Sequence, residues 1–324
     1  MKAIRKYLGL ALILTLCISL SGCNKVKDDT VVKVGALKGP TAIGLMKLMD
    51  DSANNKALNA YSFEIATAAD EILPKMISKD LDIALVPANV AAILYNKSEG
   101  NIKVIDINTL GVLYAVSSDE SIKSVKDLEN KTVYVTGQKN TPDYITQYLL
   151  KENNVDISLV NIEYKSEAAE VAALLNEKEG AVGILPQPFV TACCIKNENL
   201  KIVLDLTKEW DDLNKDTGSK LVTGVTVVRA DFLAEHESIV KDFLKEHQLS
   251  AEFVSTNLED VAKMVVDKGI IEKEPLAMKA IPNCNITYMD KDSMKEALSG
   301  YLNVLYTMDK TTVGGQLPDE EFYY

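Results

Sequence analysis

Three features of the chain predict an α/β fold of two lobes. Four strand–turn–helix junctions, at residues 38–41, 87–90, 137–142 and 186–188, fall on two successive α/β runs. Two extended apolar stretches, 110–116 and 222–228, can carry the chain from one sheet into another and back. The chain has 324 residues, enough for two cores of ordinary size. These features divide it into lobe one, residues 31–112 with 224–324, and lobe two, residues 113–223.

The first strand, Val31 to Leu37, is a buried apolar run, and Gly39-Pro40 turns it into a helix from Thr41 onward. Ala42, Leu45, Met46 and Met49 recur at helical spacing and face the sheet. The free N–H groups of the first turn then lie beside Lys38 and Gly39, where a small polar or anionic group would bind. The same stretch also reads as the opening strand and helix of any α/β domain.

Tyr61 to Ile65 alternates as a strand, and Ala69 to Ser78 reads as a helix with Asp70 and Glu71 in its first turn. Leu81 to Val86 is a third strand, Pro87-Ala88-Asn89 a turn, and Val90 to Tyr95 a helix. Asn89 reads equally as a helix cap and as a ligand contact. Ile102 to Ile107 is a strand. Ser124 to Leu128 has the pattern of a capping box before a short helix, followed by the strand Thr132 to Thr136.

Gly137 to Asp143 repeats the opening device, with Thr141 as N-cap, Pro142 at the first helical position, and Tyr144, Ile145, Tyr148 and Leu149 as the apolar face. Val160 to Tyr164 and Ala181 to Leu185 are strands flanking a helix from Glu167 to Asn176, and Pro186-Gln187-Pro188 joins the second of them to another helix. Lys201 to Leu206 is a strand, and Asp211 to Lys220 a surface loop or short helix. Asp231 to Lys268 is helical throughout, Asp290 to Thr307 adds a helix, and Gly314 to Pro318 leads into a polar tail.

The formal charge is −12, which argues against nucleic acid as a partner. Residues 1–22 have a basic start and an apolar run from Leu8 to Leu20, shorter than the roughly 20 residues of a membrane span. With Leu20-Ser21-Gly22-Cys23 this resembles a bacterial lipoprotein signal; the resemblance implies cleavage before Cys23, lipidation of its thiol, and a tether over residues 23–30. An ordinary secretory signal ending in Cys is the other reading. Cys193, Cys194 and Cys284 form no disulfide framework, and adjacent Cys193 and Cys194 read as small buried helix residues rather than a redox pair or soft-metal ligands.

Leu37-Lys38-Gly39-Pro40-Thr41, Asp82-Ile83-Ala84-Leu85-Val86-Pro87-Ala88-Asn89, Ser124 to Lys131 and Arg229-Ala230-Asp231-Phe232-Leu233, in that order and after a lipobox, resemble the substrate-binding lipoproteins of ABC importers. The similarity is to the nitrate, sulfonate, taurine and thiamine-precursor group with a type II periplasmic-binding-protein-like fold. It implies two hinge crossings and closure around a small solute. Handover to a permease and its ATPase would follow, from a monomer anchored by lipid on the outer face of the bacterial cytoplasmic membrane. Neither a cofactor nor a metal is expected.

The residues expected at the solute are Lys38, Gly39, Pro40, Thr41, Thr67, Asn89, Thr109, Tyr114, Gly137, Asn140, Thr141, Tyr144, Gln187 and Thr223. Beyond residue 22 the sole arginine is Arg229, expected in a structural ion pair, so a bidentate arginine clamp is not expected. A sulfonate or other small oxyanion, or a neutral heterocycle, fits this set. Two other classes stand beside capture for transport: a surface sensor using the same cleft, and a same-fold enzyme similar to a pyrimidine synthase that uses His and a Cys-rich segment. His236 and His247 fall in a polar helical stretch and read as solvated, and no Ser/His/Asp set, zinc spacing or phosphate loop stands out.

Two acyl chains on Cys23 suffice for stable anchoring. Cys23→Ala is expected to move the protein from the membrane fraction to the soluble fraction; retention on membranes after that change would exclude a lipid anchor at this position.

Overall fold

The computed structural model describes residues 30–324, so the signal-like segment and Cys23 lie outside the described residues. The chain builds β1 (Val31–Leu37), α1 (Pro40–Ile43), α2 (Met46–Ala53), β2 (Ala60–Ala66), α3 (Ala69–Ile77), β3 (Ile83–Pro87), α4 (Ala88–Lys97) and β4 (Ile102–Leu110). It continues through β5 (Leu113–Ser117), β6 (Thr132–Thr136), α5 (Thr141–Glu152), β7 (Asn161–Lys165), α6 (Ala168–Glu177), β8 (Val182–Pro186), α7 (Phe189–Lys196), β9 (Lys201–Asp205) and α8 (Leu206–Leu213). β10 (Val222–Arg229), α9 (Ala230–Glu235), α10 (Glu237–Thr256), α11 (Leu258–Asp267), α12 (Glu274–Ala280), β11 (Ile286–Met289) and α13 (Lys291–Met308) complete it.

The strands form two mixed sheets, ordered β11-β4-β10-β3-β1-β2 and β7-β6-β8-β5-β9. In the first, β1 runs parallel to β2 and β3, and β10 antiparallel to β3 and β4. The second repeats the device, with β6 parallel to β7 and β8 and β5 antiparallel to β8 and β9. The chain leaves the first sheet through Gly111-Val112. A Cβ on Gly111 would meet Thr207 Oγ1 at 2.2 Å and Leu221 Cδ2 at 2.7 Å, so a larger residue there would have to displace both side chains. It returns after α8, and β10 lies in the first sheet from Val222 onward. Two mixed α/β sheets are what the junctions predict, and they fit the type II periplasmic-binding-protein-like fold that the resemblance implies.

Each sheet buries both faces. Val32, Val34, Leu85 and Val228 pack under α1, α2, α10, α11 and α12. Tyr114, Val116, Tyr134 and Leu185 pack under α6 and α7. A third cluster joins the remaining faces: Val86, Val104 and Ile107 of one sheet and Val133, Val135 and Ile184 of the other lie in one apolar core with Leu298, Tyr301, Leu302 and Leu305 of α13. Tyr301 meets Trp210 of α8 with ring centroids 5.6 Å apart, and Trp210 meets Tyr148 of α5 at 4.6 Å.

Several local expectations change. The first helix is broken after Ile43: a single turn follows Gly39 at φ 127°, and Gly44 and Leu45 separate it from α2. The stretch 231–268 is three helices, interrupted at His236 and Asn257, whose backbones are not helical. The strand at 201–206 stops at Asp205, whose side chain accepts from the N–H groups of Thr207 and Lys208 and starts α8. α12 and β11 were not foreseen. The carboxyl end is no free polar tail: Phe322 is fully buried, its ring 5.0 Å from Tyr95.

His247 is not solvated. It is fully buried, its Nδ1 3.0 Å from Asp106 Oδ2, while Asp106 Oδ1 accepts from Thr226 Oγ1 at 2.8 Å. Twelve of the 20 residues of α10 are polar, yet its packed face still carries this histidine inward, because the buried carboxylate on β4 supplies the partner. Cys193 is buried and Cys194 half-buried on α7, both as free thiols, and burial pushes the Cys193 thiol up to about 11.

Arg229 lies in the expected ion pair, Nη2 at 3.2 Å from Asp82 Oδ1 and Nε at 3.2 Å from Asp231 Oδ1. Asp82 also accepts from the Lys33 N–H at 2.9 Å, tying the start of β1 to the end of β10. Removing one partner of a buried pair strands the other charge, at about 3–5 kcal/mol. Asp82→Ala is therefore expected to lose at least about 3 kcal/mol in urea unfolding, and a loss below about 1 kcal/mol would show that the pair contributes little.

Candidate functional site

The N-termini of α4 and α5 meet on the side where the two sheets share their core. β3 ends at Pro87 and α4 begins at Ala88; β6 ends at Thr136 and α5 begins at Thr141 after Asn140, with Pro142 in its first turn. Both helices thus direct unpaired N–H groups and the positive end of the backbone dipole into one space. Asn140, not Thr141, occupies the N-cap position of α5, and Pro87 that of α4, so Asn89 sits inside the helix and donates its Nδ2 to the Thr312 carbonyl at 3.4 Å.

Two adjoining cavities share Pro87, Asn89, Thr141 and Pro142 as walls. The outer one, about 430 Å³, is completed by Val90, Ile93, Lys139, Asn140, Tyr144, Leu305, Asp309, Thr311 and Thr312. The inner one, about 220 Å³, is completed by Val112, Leu113, Ile145, Leu221, Val222, Thr223 and Tyr301. The inner walls are mostly aliphatic or aromatic, whereas the outer cavity holds the only charged side chains of the two lining sets, Lys139 and Asp309.

The loop into α5 is held by Asp143, almost wholly buried, which accepts from the Lys139 N–H at 2.8 Å, Gln147 Nε2 at 2.6 Å and Tyr164 Oη at 2.9 Å. Lys139 is held at φ 61° and Gly137 at φ 70°; a Cβ on Gly137 would lie 2.1 Å from Asn140 Nδ2, so glycine is what lets Asn140 fold over the turn.

Opposite, Asp309 follows α13 and starts a short 3-10 turn, Lys310–Val313. Its Oδ1 accepts from the N–H of Thr311 at 2.9 Å and from Thr311 Oγ1 at 2.7 Å, and Oδ2 accepts from Tyr144 Oη at 2.9 Å. Hydrogen bonds from Thr311, then that from Tyr144, and the charge of Lys139 hold the Asp309 carboxyl below the usual range. Burial, then the bond to Asp309, pushes the Tyr144 phenol up to about 12.

Of the residues expected at the solute, Asn89, Asn140, Thr141, Tyr144 and Thr223 line these cavities. The others do not. Lys38 and Thr67 are exposed, and Thr67 Oγ1 donates to Glu71 Oε1 at 2.6 Å. Gly39 caps α1 and Pro40 is its first residue, and Thr41 is buried with its hydroxyl on the Leu37 carbonyl at 2.9 Å. Thr109 is fully buried and donates to Asn108 Oδ1 at 2.8 Å. Tyr114 lies in the apolar cluster under α6 and α7, its hydroxyl on the Asn283 carbonyl at 2.9 Å. Gly137 shapes the loop, and Gln187 is buried with its Oε1 accepting from Thr191 Oγ1 at 2.8 Å.

Lys139, Asp309, Thr311, Thr312 and Tyr301 were missed. Asp309 meets Tyr144 across 165 residues of sequence, and no local pattern announces that contact. An Asp two residues before a Thr does signal a cap, which is the only part of its role that was legible.

Fold and cleft together define the architecture of type II periplasmic binding proteins, and solved structures agree. An ABC transporter protein from Parabacteroides distasonis shares 24% identity at a TM-score of 0.75, over 91% of this chain and 99% of its own. The periplasmic aliphatic sulphonate binding protein SsuA from Escherichia coli shares 11% at 0.69, over 87% and 93%. The ligand binding component of an ABC-type import system from Staphylococcus aureus shares 15% at 0.64, over 91% and 96%. At these identities the likeness is one of fold. By sequence, the chain belongs to the menaquinone biosynthesis family, whose model matches residues 41–308. No significant match is found among curated proteins. That family carries a biosynthetic description, while solved structures of like fold carry binding-protein ones. Among the described residues no helix is long and apolar enough to cross a membrane, and no cluster suited to a metal ion occurs.

A free tyrosine ionises near about 10. A folded-state value raised to about 12 adds stability that is complete below about 10 and is lost as pH rises through about 12. Ultraviolet difference titration of wild type against Tyr144→Phe is expected to show one phenol ionising near 12; a midpoint near 10 would mean that the bond to Asp309 does not persist in solution.

Proposed function

We propose that the chain is the extracytoplasmic solute-binding component of an ABC importer. It captures a small solute between lobe one, residues 31–112 with 224–324, and lobe two, residues 113–223, and delivers it to a permease and its ATPase. The observation that carries this reading is the pair of helix N-termini, one from each sheet, that open on one cleft with an apolar chamber behind them. The N–H groups and the side chains of Asn140, Thr141 and Asn89 suit an oxyanion such as a sulfonate or the polar edge of a heterocycle, and the chamber suits its apolar part. One protein of like fold is a sulphonate binding protein, in keeping with that class. The protein works as a lipid-anchored monomer, and its lobes move about Gly111-Val112 and the segment before Val222.

Family membership favours a second reading, a step of menaquinone biosynthesis carried out in the same cleft. Neither histidine nor cysteine lines the cavities, so acid–base work there would fall to Lys139, Tyr144 and Asp309. Capture for sensing uses the same site as capture for transport, and whether the gene lies beside those of a permease and an ATPase separates the two.

Mass spectrometry of solute carried by the purified protein, followed by incubation with that solute, tests the main reading. Retention unchanged over time is the expected result, and conversion to a product would replace capture by catalysis. With the solute known, Asn140→Ala is expected to weaken binding by about 1–3 kcal/mol in calorimetry. Gln187→Ala, buried on Thr191 away from both cavities, is expected to leave affinity unchanged. Undiminished affinity in Asn140→Ala with intact circular dichroism would remove the α5 rim from the site.

A further inference from the structure

The outer cavity carries one positive and one negative side chain, and they are not paired with each other. Lys139 stands exposed at the rim of α5, and among the described residues neither it nor Asp309 has an opposite charge within 4.0 Å. The acceptor count of Asp309 is equally specific. A carboxylate offers about four lone-pair sites. Thr311 fills those of Oδ1, Tyr144 takes one of Oδ2, and one remains on this half-buried residue of the cavity wall. Tyr144 and the Lys310–Val313 turn fix its direction, and the carboxylate remains ionised because its hydrogen bonds hold its pKa low.

A simple anion drawn by the N-termini of α4 and α5 would meet this fixed negative charge in the same cavity. A solute with a second, cationic end would satisfy both sides. We propose that Asp309 is the specificity-determining carboxylate of the cleft. The solute class is then a small zwitterion, whose acidic group lies at the helix N-termini and Lys139 and whose protonated amine takes the open site on Asp309. This rests on the capture reading and narrows it from oxyanions and heterocycles at large to amine-bearing acids.

The test uses matched probes that differ only by the amine: γ-aminobutyrate against butyrate, and aminopropanesulfonate against propanesulfonate. They are titrated calorimetrically into the full chain and into Asp309→Asn. Asparagine keeps the side-chain carbonyl that accepts from Thr311, and circular dichroism checks that the fold is retained. In wild type the aminated member of at least one pair is expected to bind at least about tenfold more tightly than its partner, and in Asp309→Asn that preference is expected to vanish or reverse. Equal affinities within both pairs in wild type, a preference that survives in Asp309→Asn, or no binding of any of the four would overturn the assignment. Failure of the capture reading has a separate signature, turnover of the retained solute. A retained solute without a basic nitrogen would overturn the Asp309 assignment and leave capture standing.

Discussion

The apolar core that the two sheets hold in common is the constraint on which the rest of the structure depends. Each sheet covers its far face with its own helices, but the near faces are closed by α13, whose Leu298, Tyr301, Leu302 and Leu305 belong to the same cluster as Val86 and Ile107 on one side and Val133 and Ile184 on the other. Large apolar side chains cannot be left facing water at no cost, at roughly 1.5–3 kcal/mol each, so the two sheets are drawn to a common helix. Tyr301 on Trp210, and Trp210 on Tyr148, continue that contact into the second sheet. The inner cavity lies directly against Tyr301. Cleft and core are therefore two sides of one packing arrangement.

That arrangement decides which helix N-termini matter. Four strand–helix junctions have the same local chemistry, a strand end followed by a turn and an amphipathic helix. Only those at Pro87 and Asn140 open on the cavities. The junction at Gly39 closes over its own sheet, with Thr41 bonded to Leu37 and packed close to Gly224, and that at Gln187 closes against Thr191. Helix N-termini carry partial positive charge wherever they occur, but it acts on a solute only where the fold leaves space in front of it. The charges that remain in that space, Lys139 and Asp309, come from a rim loop of one sheet and from the turn after α13.

One scaffold is shared by proteins described in different terms. The sequence family is one of menaquinone biosynthesis, while the solved relatives in architecture include importer components. A cleft that surrounds a small molecule serves binding and catalysis alike, and what separates them is whether acid–base groups reach the bound molecule. Here His247 is buried on Asp106, and no histidine is among the residues that line the two cavities.

The sequence by itself determined the alternation of strands and helices and the number of sheets, because periodicity and turn residues act over a few neighbouring positions. It also marked Asn89, Asn140, Thr141, Tyr144 and Thr223, which do line the cavities. Only the tertiary structure decided that Thr109, Tyr114 and Gln187 turn inward, that His247 is buried, and that Phe322 and the segment after α13 pack against α4 rather than trailing into solvent. Those outcomes depend on partners far away in the chain: Asp106 for His247, Tyr95 for Phe322, Tyr144 for Asp309. A local pattern records what a residue can do, and the distant partner that satisfies its polar atoms or covers its apolar surface exists only once the sheets have come together.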